Sequence, residues 1–466
     1  MFSPEMNMNI ANRLTDVAKL IRYKFIPIQN LYSPLYFLQV YDLNISMVVV
    51  NSSKGCGILG INILGNSSLA YSSFARNLFN AFFVYQDFSR DISVYSVTRY
   101  SVLAIMHSKF ELGFTKFKHS AGGLTLTFLQ NFYHFSVIIN NATFQQNEGF
   151  TCSSMYVSMS QCSSTAIKID EITIVDVVCL TKDTSLKGGE LLVLYGKYVS
   201  CKKKSQKLYI SRANLSRNSQ SRQNEHPSIH VRALNNVPIS VFVNMTDIIL
   251  GISSGSGLRI SNVISTVLLQ SVFITGNLNG AVEIHHSNVT FSGITTLTHN
   301  KGKPFYITNS NVTFKGSFYF ERNNADSTFT FEEADGSKLT FPKYTSFYQN
   351  YGRQGIFCIS PGSNVTFRGS RTEFIKNRSY KTGAIYARHS YLNFHGNITI
   401  SESVAYRGGG LSLCSGAIMI VYHNAYINFT GNRALSKGGA IYVHDKDYYR
   451  YKYSGTQCFF CLKMRA

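Results

Sequence analysis

The feature that most constrains this chain is a short strand that it writes repeatedly. "NVTFSG" (288–293), "NVTFKG" (311–316), "KLTFPK" (338–343), "NVTFRG" (364–369), "YLNFHG" (391–396) and "YINFTG" (426–431) share one pattern. Their aromatic positions, Phe291, Phe314, Phe341, Phe367, Phe394 and Phe429, step by 23, 27, 26, 27 and 35 residues. A steady period in that range is the mark of stacked supersecondary units, each too small to bury its own apolar face. The long last step contains "CSGAIMIVYHN" (414–424), which reads as an insertion. A second mark follows most copies: "LTHN" (297–300), "FERN" (320–323), "FYQN" (347–350) and "FIKN" (374–377), with "FTGN" (429–432) fusing the two in the last unit. A third is "PFYI" (304–307), "GIFCI" (355–359), "GAIYA" (383–387), "GGLSL" (409–413) and "GGAIYV" (438–443).

Period 2 tests each mark as a strand. Val289/Phe291, Val312/Phe314, Leu339/Phe341, Val365/Phe367, Leu392/Phe394 and Ile427/Phe429 alternate with Asn, Thr or Tyr, so one face is buried and the other solvated. In the third mark Phe357/Ile359, Ile385/Ala387, Leu411/Leu413 and Ile441/Val443 face inward, and Tyr386, Ser412 and Tyr442 outward. The predicted fold is therefore all-β, a parallel β-helix (solenoid) with three short strands per rung of ~26 residues. Glycines such as Gly438 and Gly439 turn its corners. The Asn of Phe-x-x-Asn is expected to take the left-handed conformation and to stack as a hydrogen-bonded ladder. "ALSKGGAIYV" (434–443) is not a phosphate loop: Lys437 precedes its glycines and a strand, not a helix, follows.

Weaker copies occupy the first half: "SLAYSSFARN" (68–77), "VIINNATFQQN" (137–147), "LYISRANLSRN" (208–218), "VLLQSVFITGN" (267–277) and "TGNLNGAVEI" (275–284). Residues 1–44 are expected to form an N-terminal capping or incomplete segment. The β-helix is expected over 45–445, with its best repeats in 270–445, and 446–466 is a Tyr/Cys-rich C-terminal segment. "FTGNRALSKGGAIYV" (429–443) and "FIKNRSYKTGAIYA" (374–387) resemble the polymorphic outer-membrane protein (Pmp) repeat. That resemblance implies a right-handed β-helix, display outside the cell, and an adhesive or structural role. It carries over no catalytic residue, and the chain lacks the autotransporter barrel of the bacterial versions.

Composition narrows the function classes. Charged residues make up only 15% of the chain while Phe and Tyr number 34 and 29, which favours sheet over helix. The net charge of +21 reflects few acids, 24 against 45 basic residues, more than a concentrated basic region. The one dense tract, Cys201 to Asn224, reads as an exposed loop, and Lys202, Lys203, Lys204 and Lys207 offer contact to an anionic glycan or lipid surface. Nucleic acid is not expected, because that tract has little aromatic interleaving beyond Tyr209. Nine cysteines at irregular spacing define no disulfide framework, and "CFFC" (458–461) has no second pair to complete a zinc site. No signal peptide or ~20-residue apolar span is visible. Sequons are frequent, among them Asn44, Asn244, Asn377 and Asn428, and Asn288, Asn311 and Asn364 are the candidate N-glycosylation sites. Outward Asn residues on adjacent rungs are only ~5 Å apart, however, so a structural role explains most of these sequons.

Polysaccharide lyases and hydrolases also use this architecture, and their chemistry needs clustered carboxylates. Here the acids are scattered. Glu333 and Asp335 are the one candidate pair, in a stretch, "EEADG", that otherwise reads as a solvated turn. His444, Asp445 and Asp447 form a candidate metal patch that reads better as a polar end-cap. His285 and His286 are adjacent and should point opposite ways. The expectation is a non-enzymatic extracellular or cell-surface β-helix protein that binds glycans or proteins through its outer face, with no catalytic residue, cofactor or metal. The alternative is a carbohydrate-active β-helix enzyme.

Overall fold

A computed structural model describes residues 35–444, except 39–42, 52–57, 62, 64, 78–81, 88–99, 116–119, 131–133, 151, 161–163, 180–188, 197–205, 219–225, 234–240, 335, 342 and 423–424. Its regular elements are all strands, and each strand pairs in parallel with the corresponding strand of the next rung. This is a parallel β-helix. The chain divides into two compact units, Met1–Gly255 with Asn262–Ser265, and Ser256–Ser261 with Thr266–Ala466.

In the second unit one rung runs Asn311–Phe314, Phe318–Glu321 and Phe329–Ala334, with a two-residue strand, Asn324–Ala325, at the corner between the last two. Like residues stack on like: Asn288 on Asn311, Val289 on Val312, Phe291 on Phe314. The predicted inward pairs of the first strands from Val289 to Phe394 are buried, as are Phe357, Ile359, Ile385, Ala387, Leu411 and Leu413. Val443, predicted inward, is exposed at the last described rung. Ring centroids from Phe291 to Phe314, Phe314 to Phe341 and Phe341 to Phe367 lie 4.6, 4.9 and 4.9 Å apart, with planes within 13°. Each ring adds ~0.5–1.5 kcal/mol of stacking beyond the ~1.5–3 kcal/mol of burying a large apolar side chain.

Three readings of the repeat need correction. Phe394 pairs with Val421, and the first strand of the last rung is Ile418–Val421. The supposed insertion is therefore the repeat itself, and "INFT" (427–430) is a second strand stacked on Ile398–Ser401. Second, "EEADG" is no solvated turn over Glu332–Ala334, which end the third strand Phe329–Ala334. Third, the left-handed corner residue is the one before each asparagine: His299, Arg322, Gln349 and Lys376 have φ of 56, 51, 53 and 55°. That places the following Asn inside the coil, where it builds the expected ladder. The backbone and side-chain amides of Asn300 both donate to Asn323 Oδ1, at 3.0 and 3.1 Å, and the side chain also donates to the Ile274 carbonyl. The same two-donor bonding runs from Asn277 to Asn300, from Asn323 to Asn350, and from Asn350 to Asn377. An amide donor and acceptor buried here would otherwise be costly, and each rung satisfies the next.

The first unit turns its corners differently. Its first and second strands fuse into single bent strands such as His134–Gln145, Ser164–Val175, Gln206–Ser216 and Val241–Gly251. Each bend is one left-handed residue, Asn141, Glu171, Arg212 or Asp247, with φ of 50–54°. Gln206–Ser216 also corrects the reading of its stretch as a loop: Leu208, Ile210, Ala213 and Leu215 are buried, while Lys207 is exposed on the strand. Lys202, Lys203 and Lys204 lie outside the described residues.

Candidate binding groove on the outer face

Within the second unit, the outward register of the third strands forms a column in which half-buried Tyr386 stacks on buried Ser412 and Ser412 on half-buried Tyr442. Beside it runs a wall made by the corner segments. Thr382 donates its backbone N–H (3.1 Å) and its hydroxyl to the Gln354 carbonyl, Arg407 N–H donates to Lys381 O at 3.1 Å, and Gly408 N–H to Lys437 O at 2.9 Å. Gly408 and Gly438 take φ of 59 and 67°, which a side chain would resist; a Cβ on Gly438 would lie 2.2 Å from the Ile441 carbonyl oxygen. Column and wall enclose a groove of about 370 Å³ lined by Tyr380, Tyr386, Tyr406 and Tyr442, by Lys381, Arg407 and His444, and by Thr382, Ser412 and Cys414. No carboxylate among the described residues lines it.

The aromatic and cationic groups are interleaved. The Arg407 guanidinium carbon sits 5.6 Å from the Tyr406 ring centroid and 5.8 Å from that of Tyr442, within cation–π range. The Tyr442 ring stacks on His444 at 5.7 Å, and Tyr386 on Phe329 at 5.6 Å. Burial, then the thiols of Cys414 and Cys358, push the Tyr386 phenol up to about 12, so it stays a neutral donor at physiological pH. The Arg407 Nε–H is buried and has no hydrogen-bond partner among the described residues. A second hollow of about 320 Å³ shares Lys381, Thr382 and Tyr386 with the first and adds Phe329, Glu332, Gln354 and Arg388. Its one acid, Glu332, is paired with Lys303 at 3.0 Å.

Most residues singled out from the sequence lie elsewhere. Glu333 is fully buried in its strand, and Asp335 lies outside the described residues. Glu373 is held by the Tyr344 hydroxyl at 2.6 Å and by Arg371 Nε at 2.7 Å. His285 faces Glu283 at 3.6 Å, while His286 occupies an exposed left-handed corner, so the two do point apart. His444 lines the groove, whereas Asp445, Asp447, Cys458 and Cys461 lie outside the described residues. Among the described residues no group of three or more His, Cys, Asp or Glu could hold a metal ion, and no helix is long and apolar enough to cross a membrane. Cys152, Cys179, Cys358 and Cys414 form no disulfide among the described residues.

The sequons divide. Asn311 donates its amide to Asn288 Oδ1 at 3.0 Å, and Asn393 donates to Asn364 Oδ1 at 2.9 Å, so all three candidate acceptors belong to outer amide ladders. Asn377 is buried in the inner ladder. The groove was missed because its lining comes from three successive rungs, and only Tyr386, Ser412 and Tyr442 carried a signal, their outward register. Comparison of the chain with family models, curated proteins and solved structures found no match.

Proposed function

We propose that this protein is a non-enzymatic extracellular or cell-surface β-helix that binds glycans through its outer face, at the tyrosine-lined groove. The observation that carries the reading is the groove's lining: four tyrosines beside hydroxyls and cations, with no carboxylate among the described lining residues. Aromatic faces cover the apolar faces of sugar rings, and the hydroxyl and cationic rim bonds their oxygens. Hydrolysis or elimination would need a carboxylate pair or a calcium-binding cluster close to the bound sugar. The buried position of Glu333 leaves it unsuited to either role. The Phe-x-x-Asn and Gly-Gly-Ala-Ile marks, through their resemblance to Pmp repeats, support display outside the cell.

The test is a panel of neutral and acidic oligosaccharides offered to the whole chain, with binding and bond cleavage scored separately. Tyr386→Ala and Tyr442→Ala are expected to weaken binding about tenfold or more, as for central aromatic anchors. Cleavage of any bound glycan, or binding indifferent to both substitutions, would overturn the reading.

A further inference from the structure

We infer that the groove reads an oxyanion, a carboxylate or sulfate ester on its saccharide, and that Arg407 is the residue that reads it. The inference rests on the glycan-binding reading and gives it a chemical class. Three observations converge. Lys381 and Arg407 line the groove and, among the described residues, no acid does. Arg407 forms no ion pair among the described residues, although most of the acids described are paired: Glu283 with Arg259, Glu332 with Lys303, and Glu373 with Arg371. Its Nε–H is buried without a hydrogen-bond partner.

A buried donor left unmade is costly, and a guanidinium edge presents two parallel N–H groups that fit a carboxylate or sulfate. The Tyr406 and Tyr442 rings hold the planar group, and its backbone is fixed through the Lys381 carbonyl and the Ser412 hydroxyl. The site is thus preorganised: little side-chain freedom remains to be lost when the anion arrives. The nearby Lys381 adds long-range attraction.

Four probes separate the outcomes in calorimetric titrations of the whole chain: an oligogalacturonate, its carboxyl-reduced neutral counterpart, a sulfated oligosaccharide of similar length, and an oligoglutamate peptide. The uronate or the sulfated oligomer should bind about tenfold or more tighter than the neutral one. That preference should shrink as NaCl is raised. Arg407→Gln should abolish the preference, and a circular-dichroism spectrum and urea midpoint matching those of the native chain would show that the variant is folded. Arg407→Lys should restore only part of it, since a point charge lacks the fork. An unchanged preference in Arg407→Gln, or equal binding of neutral and acidic oligomers by the native chain, overturns the inference and leaves the glycan reading standing. Binding of oligoglutamate alone overturns both, as does binding of none of the four.

Discussion

The two units build one architecture from different materials. In the second, Phe291, Phe314, Phe341, Phe367 and Phe394 form an unbroken aromatic column; the first places Ile105, Ile139, Ile169 and Ile210 in the equivalent strands. The second has asparagine at rung after rung, from Asn277 to Asn377. Along the first, the same position reads Asn77, Gly113, Asn147, Val177, Asn218 and Ser253. There Asn147 bonds to backbone, Gly113 N and Phe110 O, Asn218 bonds to Val177 N, Ile174 O and the Glu190 carboxylate, and no amide-to-amide run forms among the described residues. The bend between first and second strands is one left-handed residue in the bent strands of the first unit, whereas in the second it passes through Gly293, Gly316, Gly369 and Gly396 in four rungs. A regular repeat lets identical side chains satisfy one another, and an irregular one must satisfy each rung locally.

The largest effect should come from the glycine turn. A Cβ on Gly316 would lie 1.8 Å from the Gly293 carbonyl oxygen, and backbone there has no room to yield. Gly316→Val should destabilise the second unit by ~3 kcal/mol or more. Phe341→Ala should cost ~3–5 kcal/mol, because rings above and below hold the cavity open. Hydrogen exchange read unit by unit would localise either loss. Protection in residues 311–394 that survives both changes would show that the column and turn are dispensable.

The units should also answer pH in opposite directions. In the first, burial pushes the Glu190 carboxyl up to about 8, although Asn218 and Ser253 donate to it at 2.6 and 3.4 Å. Its folded pKa exceeds the unfolded value, so its stabilisation is whole below about pH 4.5 and is lost as pH rises through 8. In the second unit, burial opposes ionisation of Glu283, but His285 and the two-point bond from Arg259, at 2.8 and 2.7 Å, hold it at about 2. That stabilisation is present above about pH 4.5 and is lost as pH falls toward 2. Glu190→Gln should raise first-unit stability at pH 8 by a few kcal/mol relative to wild type, and leave the acid limb of the second unit unchanged. Equal urea midpoints for wild type and Glu190→Gln across pH 5–9 would refute the assignment.

Below these lies the ladder. Asn323→Ala removes an acceptor of two bonds and a donor of two more. It should cost ~2–4 kcal/mol, and Asn147→Ala, with two bonds at stake, about half as much. Equal losses would mean that amide-to-amide bonding adds nothing.

The strands were legible because alternation of apolar with polar residues has contrast: Val-Thr-Phe and Ile-Tyr-Ala each leave a single face to bury. Where contrast fails, so does the reading. Ile418–Val421 is "IMIV", apolar at every position, and without a Phe or Asn mark it looked like an insertion. Phe329–Ala334 was obscured by its two glutamates, of which one faces outward to Lys303 and the other is buried. The ladder was expected, but its corner was placed one residue late. Arg322, Gln349 and Lys376 carry the left-handed angle without any composition that signals it. The groove was illegible for another reason: its tyrosines and Arg407 meet only after three rungs stack.

The smallest expected effect tests the single-residue bends. Asp247 holds φ at 54° on the exposed side of the first unit, a conformation costing ~1 kcal/mol for a residue with a Cβ. Glycine adopts it freely but has more freedom to lose on folding. The two terms oppose, so Asp247→Gly should shift stability by less than ~1 kcal/mol, against the large loss from Gly316→Val at the corresponding bend of the second unit. A urea midpoint for Asp247→Gly close to that of wild type would confirm that the first unit turns this corner by backbone angle alone. A loss above ~2 kcal/mol would instead give the exposed column of bend side chains, where Arg212 pairs with Asp170 and Glu171, a structural role of its own.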